Sequence, residues 1–220
     1  MPPCRNIKVE GIFMPRLRQV PRAEAEGSVL AFYDLLFGER DPVKEPGTET
    51  GSPGNWWTTY ALVPAIFEHS VAHFKMFGMF AETSSSSLPA VIRELGILRA
   101  GYTVGSIFVY SQHSKVARAS GLSDRKVADI AHWAASDAYT ADERVILCYA
   151  DALLLQHGRV PDALFAALRN ILSDEQILEF SYHTMSYALH ATLSRALKLE
   201  FDDVDDGLRE IPAPPQVPEG

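Results

Sequence analysis

The chain has 220 residues, 20 Lys and Arg against 28 Asp and Glu, a formal net charge of −8, and 47% hydrophobic against 22% charged residues. A chain of this length and composition folds around one sizeable core, burying about 70% of its unfolded surface without disulfide or metal staples. The acidic balance argues against a nucleic-acid surface made of clustered Lys and Arg. Uncharged stretches such as Phe180 to Ser194 are too short and too His-rich to span a bilayer, and two cysteines, Cys4 and Cys148, make neither a disulfide framework nor a CxxC metal knuckle. The opening Met-Pro-Pro-Cys-Arg-Asn has no apolar h-region, so the expected location is the cytoplasm.

Residues 1 to 27 mix Pro and charge without a period and read as an extended lead-in; Gly27 to Phe37 reads as a short amphipathic helix. Gly38 to Asn55 holds three prolines and four glycines, a long loop of the kind that is functional or lies against a neighbouring subunit. Trp56 to Phe80 has helical spacing at Ile66, Phe67, Val71, Phe74 and Phe77, with a break expected at Pro64. Ser84 to Ser87 can supply the N-cap of the next helix, which repeats apolar residues through Ala100. Gly101 to Gly105 reads as a helix-to-helix turn, Val104 to Ser120 as a helix closed by Gly121, and Ser123 to about Ala135 as a shorter one. Thr140-Ala-Asp-Glu143 and Ser173-Asp-Glu-Gln176 are capping boxes that start helices through Gln156 and about Lys198, with Pro161 to Ile171 forming another between them. No alternating strand run or hairpin dipeptide appears, so the fold class is all-α. The segments are an N-terminal extension and loop (1–52), a helical domain (53–200) and an acidic, Pro-rich tail (201–220) that lacks the apolar content to fold.

Ser106, Tyr110, His113 and Ala117 fall at i, i+4, i+7 and i+11 and share one helix face. Glu94 stands at the edge of the preceding helix's apolar stripe, and a short turn between the two helices would bring it towards His113. A carboxylate beside an imidazole orients the ring and favours its charged form, giving an acid/base pair usable near neutrality. The same spacing fits a buried structural ion pair, so the pattern alone leaves both open. His69 and His73 stand at the i, i+4 metal spacing, but no third ligand is evident, so no metal is expected and they read as a surface pair. His183 and His190 share a face with Tyr187 and can line a pocket from the last helix or fill the core.

Arg93-Glu94-Leu-Gly-Ile-Leu-Arg99, Ser106 to His113 (SIFVYSQH), Ala119-Ser-Gly-Leu-Ser-Asp124 and Thr140-Ala-Asp-Glu-Arg144, in that order, resemble the carboxymuconolactone decarboxylase and AhpD-like superfamily over about residues 53 to 200. The resemblance implies an AhpD-like helical bundle that assembles as a homo-oligomer (dimer, trimer or hexamer). The family's Glu and His correspond to Glu94 and His113, and its redox cysteines to Ser106 and Val109, so both thiols of a dithiol peroxidase are absent. What remains resembles the decarboxylase branch, a cofactor-independent lyase acting on a cyclic lactone or β-keto-type organic acid. On that reading His113 moves the proton, Glu94 orients it or acts as a second base, and Ser106 and Tyr110 donate hydrogen bonds to a carbonyl or carboxylate. Val109, Trp57, Tyr60 and His190 line the substrate pocket, with Trp56, Trp57 and Tyr60 forming either a ring-binding wall for a larger aromatic or polycyclic acid or a subunit interface. The alternatives are an isomerase or retro-aldol-type lyase on the same pair, or a redox-dead binding or assembly subunit.

Overall fold

Helix starts in this chain are written into its side chains, and the computed structural model shows them in use. It describes residues 15–45, 55–76, 78 and 86–199; the 201–220 tail, Cys4, Ser84 and Ser85 lie outside these. Thr140 and Ser173 each accept from the backbone N–H three residues on, while the Glu143 and Gln176 side chains reach back to the caps. These reciprocal pairs open α7 (Ala141–Leu154) and α9 (Asp174–Leu197). Ahead of them lie α1 (Gly27–Phe37), α2 (Asn55–Tyr60), α3 (Pro64–Met76), α4 (Ala90–Val104), α5 (Ile107–Ala119) and α6 (Asp124–Asp129), with α8 (Asp162–Arg169) between the capped pair. The described residues contain no strand.

The α4 helix is the axis of the molecule and packs most extensively against α9, α5 and α7. Every residue from Glu94 to Gly101 is buried, so α4 has no solvent face over two turns. Its back side is pinned by Arg99, whose fork meets Asp151 at 2.6 Å (Nε–Oδ1) and 3.1 Å (Nη2–Oδ2) while Nη1 donates to the Ile130 carbonyl. Its other side lies close against α9: a methyl built on Gly96 would stand 2.3 Å from Thr184 Oγ1.

Both ends of α4 differ from the sequence reading. Gly101 is helical rather than part of the turn, because α4 runs on to Val104 and closes on Gly105 in the left-handed region (φ 73°). Gly101 instead lets α5 approach, since a Cβ there would lie 3.1 Å from the Tyr110 amide nitrogen. Ser86 and Ser87 do not cap α4, whose N-cap is Pro89. They and the Leu88 amide donate to the Glu179 carboxylate of α9, so a long-range acceptor replaces the local cap. In the N-terminal segment, α1 packs on α3 around Phe32, Tyr33, Phe37 and Phe67. Among the described residues no helix is long and apolar enough to cross a membrane.

Candidate active site

Glu94 opens the buried stretch of α4, and His113 lies two turns into α5. The α4–α5 packing closes the distance between them: His113 Nδ1 lies 2.8 Å from Glu94 Oε2. Glu94 is 1% exposed and His113 7%. A carboxylate this far from water needs charged or donor partners, and it has two, because Arg93 Nε donates to the other oxygen at 3.0 Å. With Nδ1–H directed at Glu94, His113 presents Nε2 to any ligand, as a base when neutral and as an acid when protonated.

Nε2 has somewhere to point. A chamber of about 40 Å³ is walled by Arg93, Glu94, His113, His183, Phe74 and Tyr187, among others. A second chamber of about 140 Å³ adjoins it between α2, α3 and α9 and shares the walls Phe74 and Tyr187. Its lining is aromatic: Trp56 stacks on Tyr60 (centroids 4.0 Å apart) and on His190 (4.9 Å, planes 6° apart), and His190 stacks on Tyr187 (5.7 Å). Tyr187 also lies edge-on to His113 at 4.4 Å, so one ring touches both chambers.

Burial sets the charge of this lining. It pushes the His73 imidazole down to about 4, His183 to about 2 and His190 to about 3, each helped by neighbouring imidazoles that resist a second positive charge. The Tyr187 phenol is pushed up, by burial first and the Glu94 carboxylate second, and stays a donor. The buried imidazoles of the larger chamber, His73 and His190, are therefore neutral at neutral pH, and no Asp, Glu, Lys or Arg lines it. His190 Nε2 is buried there without a hydrogen-bond partner.

The residues singled out from sequence separate into two groups. Glu94, His113, Tyr60 and His190 line one or other chamber. Ser106, Tyr110, Val109 and Trp57 line neither. Ser106 is the N-cap of α5, its hydroxyl accepting from the Val109 amide, and Tyr110 donates to the Val127 carbonyl at 2.9 Å. Val109 is packed in the core. Trp57 faces Phe32 and Phe67, so it is the neighbouring Trp56 that faces the cavity. His73, read as half of a surface pair, turns its ring towards His183 at 5.3 Å, while His69 is exposed at the cavity rim. Arg93, Phe74 and Tyr187 complete the site. The pattern Arg-Glu gave no reason to separate Arg93 from a solvated surface charge. Among the described residues no cluster of three or more His, Cys, Asp or Glu could hold a metal ion.

Residues 71–152 match the sequence pattern of the carboxymuconolactone decarboxylase family. Over these residues the chain is similar to that family. That segment holds Arg93, Glu94 and His113 together. A structure from Agrobacterium tumefaciens, described as a protein of unknown function and putative antioxidant defence protein AhpD, is 25% identical over 66% of this chain and 96% of its own, with a TM-score of 0.59. An uncharacterised peroxidase-related protein with an AhpD core from Ralstonia eutropha covers 86% of this chain and 93% of its own at 17% identity, TM-score 0.68. The debrominase Bmp8, in a cysteine-to-alanine variant bound to 2,3,4-tribromopyrrole, covers 64% and 72% at 18% identity, TM-score 0.54. The fold is AhpD-like. No curated protein matches the sequence.

Proposed function

We propose that the protein is a cofactor-independent carboxy-lyase that decarboxylates a cyclic organic acid, with His113 as the proton donor and Glu94 as the group that holds it. The observation that carries this reading is the buried 2.8 Å Glu94–His113 contact, with the far nitrogen of the ring left to a chamber. In the step, the C–CO2 bond breaks and its electron pair passes into a conjugated carbonyl as an enolate. The enolate carbon then takes the proton from His113 Nε2, CO2 leaves, and His113 regains a proton from water. General acid catalysis of this kind contributes about 10²–10⁴-fold, and Tyr187 and His190 supply neutral hydrogen-bonding groups along the wall where the ligand lies.

The match of residues 71–152 to that family supports enzymatic activity on this scaffold, and the named neighbours span peroxidase-related and debrominase proteins. Dithiol peroxidase chemistry is set aside because Ser106 and Val109 occupy the two thiol positions. Cys148, on α7, lines neither chamber, and burial and the Asp151 carboxylate push its thiol up, away from a reactive thiolate. The size of the larger chamber also narrows the substrate. About 140 Å³ is close to the ~150 Å³ engineered cavity that holds benzene, so a single ring fits better than the polycycle the paired tryptophans suggested. The pyrrole seen on Bmp8 is a ring of that scale on the same fold.

The test is CO2 release from a panel of monocyclic lactone and β-keto acids by the wild type, Glu94→Gln and His113→Ala. Both variants should keep the wild-type circular dichroism and lose at least about 100-fold in turnover. Full activity in His113→Ala would overturn the reading. Solvent deuterium entering the substrate without CO2 release would move the assignment to an isomerase.

A further inference from the structure

The two chambers differ in size and charge in a way that fixes how a ligand must lie. The larger holds about one ring and has no Asp, Glu, Lys or Arg in its wall; the smaller, at about 40 Å³ against 140 Å³, admits only a functional group. A charged group on the ligand meets a fixed counter-charge only in the small chamber. There the lining contains one permanent cation, Arg93.

Arg93 is placed as a binding group, not only as a counter-ion. Its side chain is 15% exposed. Only Nε is engaged, by Glu94 Oε1, and among the described residues neither terminal nitrogen meets an acceptor. Those nitrogens are the paired donors with which guanidinium groups grip anionic oxygens. The charge balance agrees. One carboxylate, Glu94, faces Arg93 and His113, so when His113 carries the proton it is to deliver, the trio has a surplus of one positive charge. A ligand with one negative oxygen neutralises it.

We propose that Arg93 anchors an anionic oxygen of the substrate, and that the substrate class is a single flat ring bearing one anionic group, ring in the larger chamber and oxygen on the Arg93 fork. In the reaction proposed above that oxygen belongs to the carboxylate that leaves as CO2; its negative charge passes to the conjugated carbonyl oxygen as the enolate forms, so the fixed cation faces an anion before and after the C–C bond breaks. The inference rests on that reading for the reaction but not for the binding.

The experiment is calorimetric titration of the full-length protein with benzoate and, as its neutral isostere, benzamide. Wild type should prefer benzoate. Arg93→Gln should weaken benzoate about tenfold or more, the loss of a charge-assisted contact, and benzamide less than about threefold. Arg93→Lys, which keeps the charge and loses the fork, should fall between them. Because both ligands are measured on each variant, a folding defect would weaken both alike and cannot imitate the expected ratio. Benzoate binding unchanged in Arg93→Gln, no preference for benzoate in the wild type, or equal loss of both ligands would each overturn the anchor. His113→Ala separates this inference from the catalytic one: full turnover in that variant removes the lyase mechanism but leaves an Arg93-dependent benzoate ratio standing.

Discussion

Replacing Gly96 by Ala tests the contact that sets the width of the site. Gly96 is on α4, two residues past Glu94, and faces α9, which carries His183, Tyr187 and His190. In an isolated helix the substitution would add about 1 kcal/mol of stability, because glycine is the poorer helix former. Here the new methyl carbon would stand 2.3 Å from Thr184 Oγ1 and 2.9 and 3.0 Å from the Phe180 ring. Both neighbours are completely buried and have nowhere to retreat. Overpacking costs about 1–3 kcal/mol, and a contact this short belongs at the top of that range. Subtracting the propensity gain leaves a net loss of about 2 kcal/mol, equivalent to about 4–8 °C in Tm for a chain of this size. Urea unfolding followed by circular dichroism reads this directly. Thr184 Oγ1 has no hydrogen-bond partner, so Thr184→Ala removes the shortest of these contacts without orphaning a polar group, leaving those to Phe180, and the double variant should recover at least about 1 kcal/mol of the loss. A Gly96→Ala protein more stable than wild type, or a double variant no better than the single, would refute the close α4–α9 approach.

Three further outcomes follow from the same structure. His73, His183 and His190 have folded-state pKa values below the ordinary imidazole value, so the unfolded chain binds more protons; stability is full above about pH 6.5 and falls as pH drops towards 4, by up to about 1.4 kcal/mol per pH unit for each histidine. His190→Phe should flatten the pH dependence of the urea midpoint between pH 6.5 and 4.5, and an unchanged slope would count against a neutral His190. Ser106→Ala removes a helix N-cap, so it should cost about 1 kcal/mol in urea unfolding and leave CO2 release within about threefold of wild type, where a catalytic serine would lose far more. Leu178, Tyr182, Met185 and Leu189 form an exposed stripe at i, i+4, i+7 and i+11 along α9, at 71%, 44%, 44% and 62% exposure. If this face joins copies of the chain, light scattering should give an oligomer for the wild type and a smaller species for Leu178→Glu/Leu189→Glu.

The helices were legible where the signal is local. The Thr140 and Ser173 capping boxes need only four residues each, and both helices begin where those residues put them. The Glu94–His113 contact was legible because two helices joined by a short turn pack as antiparallel neighbours, which brings these positions towards each other. Sharing a face with His113 was not enough to place Ser106 and Tyr110. A serine at a helix start turns to its own backbone, and Tyr110 is long enough to reach the Val127 carbonyl instead. Which of Trp56 and Trp57 faces the cavity depends on how α2 lies against α9, and the role of His73 depends on α3 lying there too. Both are matters of packing between segments more than 100 residues apart, beyond the reach of periodicity. Arg93 was hidden for a different reason: an Arg beside a Glu on a helix is ordinary, and only the burial of its neighbour gives it a purpose.

The division of labour between α3 and α9 has a consequence for evolution and for engineering. The reacting groups sit on α4 and α5, clamped to α9 through Gly96 and to α7 through Arg99 and Asp151. The opposite wall of the ring chamber, away from Phe74 and His73, includes Ile66, His69 and Ser70 and is supplied by α3, which is braced mainly by α1 and α2. Substitutions on α3 can thus reshape what the chamber accepts while the proton-transfer apparatus is left in register. Selection for a new substrate has a separate, forgiving surface on which to work, and a library confined to α3 is where altered selectivity should be sought first.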